Sequence, residues 1–345
     1  MSGVAGLSRR PSPSVLALAI ALSLGACSDQ GEDRLETSPP PILPTRPAER
    51  PQADQAELRK ARAERNRAAN RAATEAASST NSQSQQDYYG GVERSLLARG
   101  KMRRDSLPLD APIDADRLAK DFALIALRDE YGADGRRMAD GGPAPLRRWA
   151  APVRLQLEFG DSIDTATQAQ VRSSVSAYAG RLATASQHSV TLTTGSGNFH
   201  VLVLNDDERR AIGPRLASLV PGIPPEDIAA MRDLAQGNYC TVFAYSSGNS
   251  NVYVHAVALI RAELPPLLRL SCIHEELAQG MGLANDSFAV RPSIFNDDEE
   301  FALLTRHDEL LLRILYDPRL RPGMTEAEAA PLVHQIAQEL LPDEG

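Results

Sequence analysis

The chain has 345 residues, a formal net charge of −8 and 24% charged residues. An acidic chain lacks the net positive charge that is typical of nucleic-acid-binding proteins, so we expect no nucleic-acid partner. The length predicts one large domain, or a domain with a smaller helical preface, in addition to any targeting segment.

The N-terminus has the layout of a lipoprotein signal peptide, residues 1–26. Arg9-Arg10 precedes an apolar run, Val15–Leu24, that is too short to span a membrane comfortably. The run ends in the lipobox Leu24-Gly25-Ala26-Cys27. We expect cleavage before Cys27 and acylation of that cysteine with fatty acids such as palmitate. Because Ser28 rather than aspartate follows, attachment to the periplasmic face of the outer membrane is favoured; the alternative is an ordinary secretory signal.

Residues 27–88 are predicted to form a tether rather than a folded domain. Pro39–Pro51 is rich in proline and should be extended, whereas Gln52–Ala77 is rich in alanine, arginine and glutamate and is typical of a solvated helix. Gln52–Ala77 contains Leu58 as its single large apolar residue, which is too little to build a core. A partner-binding coiled coil is the alternative, and a plain spacer is favoured.

The rest of the chain alternates strands with helices. We assign residues 89–148 to a helical N-terminal region and residues 149–342 to the main domain. Predicted helices are Ala115–Tyr131, Thr165–Ala183, Asp207–Leu216, Pro225–Leu234 and about 264–283. Predicted strands are Val153–Phe159, Val190–Thr194, Phe199–Leu204, Thr241–Ser246 and Asn251–Ile260. This order predicts an α+β fold in which a mixed sheet lies under helices.

The cysteines other than Cys27 form an even pair, Cys240 and Cys272. In an oxidising compartment we expect them to form a disulfide that links the sheet to the start of the last predicted helix. Two alternatives remain open. One is a zinc site that uses Cys272 with His274, and the other is a pair of buried free thiols.

The segment Ser271–Asp286, SCIHEELAQGMGLAND, resembles the helix of a zinc protease without its histidines. A zincin helix carries HExxH, but Ala278 stands four residues after His274. Moving the frame by one residue aligns the segment with the metzincin pattern HExxHxxGxxH, whose five fixed positions are then occupied by Glu275, Glu276, Gln279, Gly282 and Asn285. Only the base, Glu276, and the glycine, Gly282, match in kind. The glycine is expected to end the helix, so that the chain returns towards the same helix face.

Helical spacing divides these residues between faces. Glu275 and Gln279 share one face, Glu276 lies a quarter turn to one side, and His274 lies a quarter turn to the other. The informative residues are therefore those of the shifted frame rather than His274.

Two later segments extend the resemblance to metzincins. Ser293-Ile294-Phe295 is similar to the serine-x-methionine turn beneath the metal, and Leu304–Asp308 with Leu315–Pro318 resembles the closing helix. From Trp149 to Met324 the chain also resembles a family of uncharacterised bacterial lipoproteins that carry a domain of unknown function. The runs that carry this resemblance are RRWAAPVRL, IRAELPPLLRLSCIHEELAQGMGLANDS and RPSIFNDDEEFALLTRHDELLLRILYDPRLRPGM. The resemblance implies a zincin-like (metzincin-like) fold and no established activity.

Metal binding at this face is an open question. Glu275, Gln279 and Asn285 would offer oxygen atoms, which suit a divalent cation such as calcium, magnesium or manganese better than zinc. The alternative is that these side chains hydrogen-bond the helix end and the following loop, because buried polar groups need partners whether or not chemistry occurs.

If the site is catalytic, Glu276 is the expected general base, with Glu275 beside it and Asp286 as the second carboxylate of an acid/base pair. Gln279, Asn285 and His274 are then the residues expected to orient substrate or water. The acidic run Asn296–Glu300 has two interpretations. It could bind calcium or complete the cleft, but capping of a helix that begins there is favoured.

Three functional hypotheses follow. The first is a lipid-anchored hydrolase of the cell envelope that cuts peptide or peptidoglycan bonds. The second is an inactive pseudoenzyme that binds an envelope protein or peptidoglycan through the same cleft. The third is a structural lipoprotein in which the motif only braces the fold.

Overall fold

The computed structural model describes residues 64–68, 80–131, 137–296 and 298–341, which all belong to the unit formed by residues 53–345. The predicted signal peptide, Cys27 and most of the predicted tether lie outside the described residues. Within those ranges, no helix is both long enough and apolar enough to cross a membrane.

The helices that build the fold are α1 (Thr80–Ala98), α2 (Ala115–Ala126), α3 (Thr165–Ser186), α4 (Asp206–Arg210), α5 (Gly213–Leu219), α6 (Pro225–Arg232), α7 (Pro266–Gln279), α8 (Arg306–Leu315) and α9 (Glu326–Leu340). The strands are β1 (Arg128–Tyr131), β2 (Arg137–Pro143), β3 (Arg148–Trp149), β4 (Val153–Phe159), β5 (Val190–Thr193), β6 (Phe199–Leu204), β7 (Cys240–Ser246) and β8 (Val252–Arg261). The order alternates strands with helices and ends in helices.

The centre of the fold is a sheet with the strand order β5-β4-β6-β8-β7, and the short β3 pairs with the start of β8. The strands β3, β4, β5, β6 and β8 run parallel, whereas β7 pairs antiparallel with β8. β1 and β2 form a separate antiparallel pair. The sheet is mixed, as predicted. Because it is mostly parallel and alternates with helices, it is a mixed α/β arrangement rather than the segregated α+β arrangement expected.

Helices cover both faces of the central sheet. One face packs on the main core, to which α2, α3, α7, α8 and α9 contribute, and the other packs on a smaller core built from α5 and α6. Alternating residues of β6 serve both cores: Phe199 and Val201 belong to the main core, and Leu202 and Leu204 to the smaller one. Burial on both faces explains why β6 is apolar at every position except His200.

The predicted tether reaches too far along the chain, because α1 already begins at Thr80. The Tyr89 hydroxyl donates to the carbonyl of Gln236 at 3.0 Å. Glu93 accepts the backbone N–H of Leu268 at 3.0 Å, which satisfies a donor in the first turn of α7. α1 is therefore part of the packed fold and caps the helix that carries the motif.

Two predicted helices have different bounds. The helix predicted for Ala115–Tyr131 ends at Ala126, because the residues that follow pair with β2. The helix predicted for Asp207–Leu216 is two short helices, and Gly213-Pro214 begins the second of them, where proline suits a first helical turn.

The acidic run Asn296–Glu300, of which Asp297 lies outside the described residues, does not begin a helix. Asp298 forms an ion pair with Lys101 at 2.8 Å, and Glu300 forms one with Arg103 at 2.9 Å. The expected capping role is therefore wrong. These carboxylates connect their loop to the segment after α1, and α8 starts later in the chain.

Candidate functional site

Helix α7 forms one wall of the candidate site. It begins at Pro266, whose missing N–H and fixed φ suit the first position of a helix. It ends at Gln279 rather than near residue 283, and Gly280 follows as its C-cap. The carbonyl of Gly280 accepts the indole N–H of Trp149 at 2.8 Å, and a Cβ at Gly280 would lie 2.4 Å from the ring of Phe199. After Gln279 the backbone N–H groups of Met281 and Gly282 bond to carbonyls three residues back, so the α-helix ends earlier than the pattern predicts.

Gly282 lies in the turn after α7 rather than at the helix end. Its φ is +121°, and an added Cβ would lie 2.3 Å from the carbonyl oxygen of Arg147. Only glycine fits this backbone conformation without strain. The glycine of the motif thus lets the chain turn back beside α7.

His274 points into the main core. Its ring stacks on Tyr178 with centroids 3.9 Å apart, and its Nδ1 accepts the backbone N–H of Leu304 at 3.2 Å. The side chain is 8% exposed, and burial together with the charge of Arg181 lowers its pKa to about 3. His274 is therefore a neutral core residue, and it does not line the cleft described below.

Cys240 and Cys272 form a disulfide with their Cα atoms 5.9 Å apart, as predicted. The bond joins the first residue of β7 to the middle of α7. It excludes the alternatives of a zinc ligand and of free thiols for this pair.

A cavity of about 610 Å³ lies between α7 and the edge strand β7, and we call it the cleft. From α7 it is lined by Glu275, Glu276 and Gln279. Residues 237–244 of the β7 segment form the opposite wall. The remaining lining residues are Asp129, Arg147, Tyr253, Ala284, Asp286, Phe288 and Glu299. Four predicted site residues, Glu275, Glu276, Gln279 and Asp286, therefore share one cavity.

The two glutamates differ in exposure. Glu276 is 4% exposed, whereas Glu275 lies at intermediate depth. A carboxylate that is shielded from bulk water and borders a cavity suits proton transfer better than one surrounded by solvent. Of the two, Glu276 has the surroundings expected of a general base.

Gln279 and Asp286 contact each other across the turn. The Gln279 amide donates to Asp286 Oδ1 at 2.9 Å. This hydrogen bond fixes the second carboxylate beside the face that carries Glu275. The return of the chain after Gly282 thus brings Asp286 to the cleft, as expected.

Asn285 has a different position from the one expected. Its side chain is 1% exposed and donates to the carbonyl of Leu124 at 2.8 Å, while its backbone N–H donates to Ile125. The last carbonyls of a helix lack intrahelical partners, and Asn285 satisfies two of them at the end of α2. It ties the turn to α2 and does not line the cleft.

The segment Ser293-Ile294-Phe295 forms a buried turn. Ser293 Oγ donates to Asp308 at 2.6 Å, and the N–H of Ile294 donates to the same carboxylate at 3.1 Å. His307, which follows in α8, lies 3.1 Å from Asp121, and that pairing directs it to α2 rather than towards the motif helix. Burial alone would lower the pKa of His307, but Asp121 and Asp308 outweigh it and raise the pKa.

The expected ligand set is not assembled around one point. In the part of the chain that the structure describes, no group of three or more His, Cys, Asp or Glu side chains is arranged to hold a metal ion. Asn285 faces α2, so the trio of Glu275, Gln279 and Asn285 loses one oxygen donor. His255 lies on the same face of β8 as Val257 and Leu259, which belong to the smaller core. It therefore lies on the face of the sheet that is turned away from α7.

Three further lining residues of the cleft, Asp129, Arg147 and Phe288, are what sequence reasoning missed. Arg147 pairs with Asp129 at its rim, and Phe288, 69% exposed, follows Asp286 on the loop after α7. An aromatic residue directly after the polar Asn285-Asp286-Ser287 segment was the available signal for Phe288. No sequence pattern near Arg147 or Asp129 indicates that they line the cleft, because these residues come close to α7 only in the folded chain.

Family comparison adds one result. Residues 115–335 match a family described as a protein of unknown function (DUF2927). The chain belongs to this family. The matched segment runs from α2 into α9, so it includes the central sheet, α7 and both walls of the cleft, and it leaves α1 outside. No curated protein matches the chain, and no solved structure matches it.

Proposed function

We propose that this member of the DUF2927 family is a cell-envelope hydrolase that cleaves peptide or peptidoglycan bonds, with Glu276 as its general base. One observation carries the proposal. Glu275, Glu276, Gln279 and Asp286 line a single cleft that runs beside the edge strand β7. Paired carboxylates in a cavity are the usual equipment of acid/base hydrolysis.

The edge of β7 supports binding of an extended chain. Among the described strands, β7 pairs with β8 alone, and residues 240–244 border the cleft. An uncovered strand edge offers backbone N–H and C=O groups to a ligand that adds as a further strand. The exposed ring of Phe288 adds an apolar contact at the rim for a side chain of such a ligand.

The reaction needs two proton transfers. Glu276 accepts a proton from water, and the water oxygen forms a bond to the carbonyl carbon of the substrate. Asp286, held by Gln279 and protonated at the start of the step, then gives its proton to the leaving nitrogen as the C–N bond breaks. The hydroxyl of water ends on the acyl product and the proton of Asp286 on the amine. The proton taken up by Glu276 then returns to Asp286 through solvent, so the cycle balances without a further reactant.

The zincin-like scaffold and the envelope location are parts of the same proposal. The scaffold is supported by the order of a mostly parallel sheet, an antiparallel edge strand and then the motif helix. The location is supported by the lipobox that ends at Cys27 and by a disulfide, since disulfides persist in oxidising compartments. Cys27→Ala should therefore move the chain from the membrane fraction to the soluble fraction; unchanged fractionation would contradict the anchor.

The test of hydrolysis uses the full-length chain with two substrates, purified peptidoglycan sacculi and an unstructured protein. Mass spectrometry would identify new termini. Glu276→Gln should lower the rate by about 100-fold or more, since general bases contribute on the order of 10² to 10⁴. Glu339→Gln, on the exposed side of α9, is the matched control and should retain full activity. Equal cleavage by the wild type and Glu276→Gln would overturn the role of Glu276.

A second candidate function uses the same surface without chemistry. The strand edge and Phe288 suit capture of an extended envelope polypeptide, and the expected metal ligands do not converge. A pure binding protein would retain an unfolded peptide equally in the wild type and in Glu276→Gln, with no cleavage by either. Peptide retention measured alongside cleavage therefore separates the two functions.

A further inference from the structure

A second cavity lies at the opposite end of α7, where the parallel strands β4, β6 and β8 end. Its volume is about 480 Å³, which suits a small molecule. In open sheets with parallel strands, ligands bind in the crevice outside the carboxyl ends of the strands. The lining combines the segments after these three strands with one side of α1: Ser82, Gln83, Gln86, Ser162, Ile163, Asp164, Thr167, Asn205, Ala262, Glu263, Leu264, Pro265 and Arg269. We call this cavity the strand-end pocket.

Glu263 is the decisive residue of the strand-end pocket. It is 4% exposed, and its Oε1 accepts hydrogen bonds from Ser82 Oγ at 3.0 Å and from the N–H of Asp206 at 2.6 Å. Its Oε2 is buried and has no hydrogen-bond partner among the described residues. A buried carboxyl oxygen without a partner is costly, and such groups usually have a role that explains them.

Uncommitted donors lie in the same pocket. Arg269 is half-buried, and its guanidinium makes one long hydrogen bond, 3.4 Å, to the carbonyl of Ala262. Within the described part of the chain, the amides of Gln83 and Gln86 make no side-chain hydrogen bond. The lining of the pocket therefore includes one carboxyl group with an unpartnered oxygen, one guanidinium and two amides. Ile163 and Leu264 add an apolar surface.

This set of groups discriminates between ligand classes. A phosphate or other anion without a positive group would suit Arg269 but would meet the carboxyl groups of Glu263 and Asp164. A sugar ring usually stacks on an aromatic side chain, and none lines the pocket. A metal ion needs several converging oxygen or nitrogen donors, and the described residues contain no such group.

We propose that the strand-end pocket binds a free amino acid, with the ammonium group on Glu263, the carboxylate on Arg269 and an aliphatic side chain against Ile163 and Leu264. The amides of Gln83 and Gln86 complete the polar contacts. Burial raises the pKa of Glu263, and a bound ammonium group would stabilise its charged form. The pocket is separate from the cleft, since Pro265 and Glu275 are about 15 Å apart along the helix axis.

The test uses the full-length chain and a defined panel: the twenty protein amino acids, D-alanine, D-glutamate and meso-diaminopimelate, each at 10 mM. Thermal unfolding is measured first, and calorimetric titration then gives the Kd of any compound that stabilises the chain. At least one compound should raise the Tm by about 5 °C or more, the shift expected when ligand is near 100-fold above its Kd.

Two variants decide the assignment. Glu263→Gln and Arg269→Gln should each weaken binding at least tenfold, and the surface variant Glu339→Gln should bind like the wild type. If Glu263→Gln fails to fold, Arg269→Gln alone decides. The N-acetylated and the C-amidated forms of the bound amino acid should both lose affinity, because each removes one charge.

Three outcomes would overturn the proposal: no stabilisation by any member of the panel, binding that is unchanged in both pocket variants, or binding that is retained by the N-acetylated or amidated form. Cleavage of peptide or peptidoglycan is measured on separate substrates. Failure of this proposal therefore leaves the proposed hydrolase activity unaffected, and the reverse also holds.

Discussion

The two sides of α7 place polar residues in different surroundings, one in the packed core and the other beside a cavity. On the core side, His274 is enclosed by Tyr178 and by the segment at Leu304, and it is held neutral. On the cleft side, one residue further along, Glu275 and Glu276 border a cavity together with part of β7. The residue with the stronger motif signal is the structural one, and the less conspicuous carboxylates face the space where a ligand can bind.

This difference shows that the residues of a helical motif must first be assigned to faces of the helix. Only then can each residue be assigned a functional or a structural role. A rotation of about 100° per residue separates His274 from Glu275. A neutral imidazole can be buried with one hydrogen bond, whereas a carboxylate needs water, several partners or a ligand. The three predictions that follow test this division, from the largest expected effect to the smallest.

Loss of the disulfide should have the largest effect, because the bond joins the core-side helix to the strand that forms the cleft. Replacing both Cys240 and Cys272 by serine should lower the free energy of unfolding by about 3 to 4 kcal/mol. This is the loop-closure entropy expected for two cysteines separated by 32 residues in the sequence. Denaturant unfolding of the wild type and the double variant, with and without reductant, measures this difference in free energy. If reductant destabilises the double variant as strongly as the wild type, the lost stability does not come from the disulfide.

The next effect is the pH dependence that comes from His274. The unfolded chain takes up a proton as the pH falls below about 6.5, whereas folded His274 stays neutral until about pH 3. The stability that neutral His274 contributes is therefore lost on acidification, by about 2.5 kcal/mol between pH 7 and pH 4.5. His274→Asn keeps an acceptor for the N–H of Leu304 and should show a pH dependence weaker by that amount.

Urea unfolding at the two pH values gives the comparison for His274. His334 lies on the exposed surface of α9, so His334→Asn is the matched control and should retain the wild-type pH dependence. Identical acid destabilisation of the wild type and His274→Asn would show that the core side of α7 does not hold a neutral histidine.

The smallest effect should come from the cleft side. Gln279→Ala removes a partly exposed hydrogen bond to Asp286 and should lower stability by about 1 kcal/mol or less. The same change should lower the cleavage rate if Asp286 is the proton donor, because the carboxylate loses its fixed position. If Gln279→Ala lowers stability as much as loss of the disulfide does, Gln279 contributes to core packing rather than to the cleft.

Much of the fold could be predicted from local sequence. The bounds of Val153–Phe159 and Phe199–Leu204 agree with prediction, because alternating and continuous apolar runs are strong strand signals. β1 and β2 were not predicted, since Arg128–Pro143 has neither pattern. The helix α7 is shorter than predicted, because its last turn changes to i→i+3 hydrogen bonds at Met281 and Gly282, for which the sequence has no local signature.

The candidate site also has some features that local sequence predicts and others that it does not. Helical spacing was sufficient to group Glu275, Glu276 and Gln279, because these residues share one helix. The role of Asn285 could not be predicted, since its partners are carbonyls of α2, about 160 residues earlier in the chain. The strand-end pocket was not foreseen either. Glu263 precedes α7 without any motif, and only burial reveals its uncommitted oxygen.

The bond between Cys240 and Cys272 also determines how the cleft can change its width. Because it connects the first residue of β7 to the middle of α7, the two walls cannot separate at Cys240. Any opening motion of the walls would have to pivot about this bond. For the proposed hydrolase this constraint favours linear chains that enter lengthwise, such as an unfolded protein segment or the stem peptide of peptidoglycan, over folded molecules.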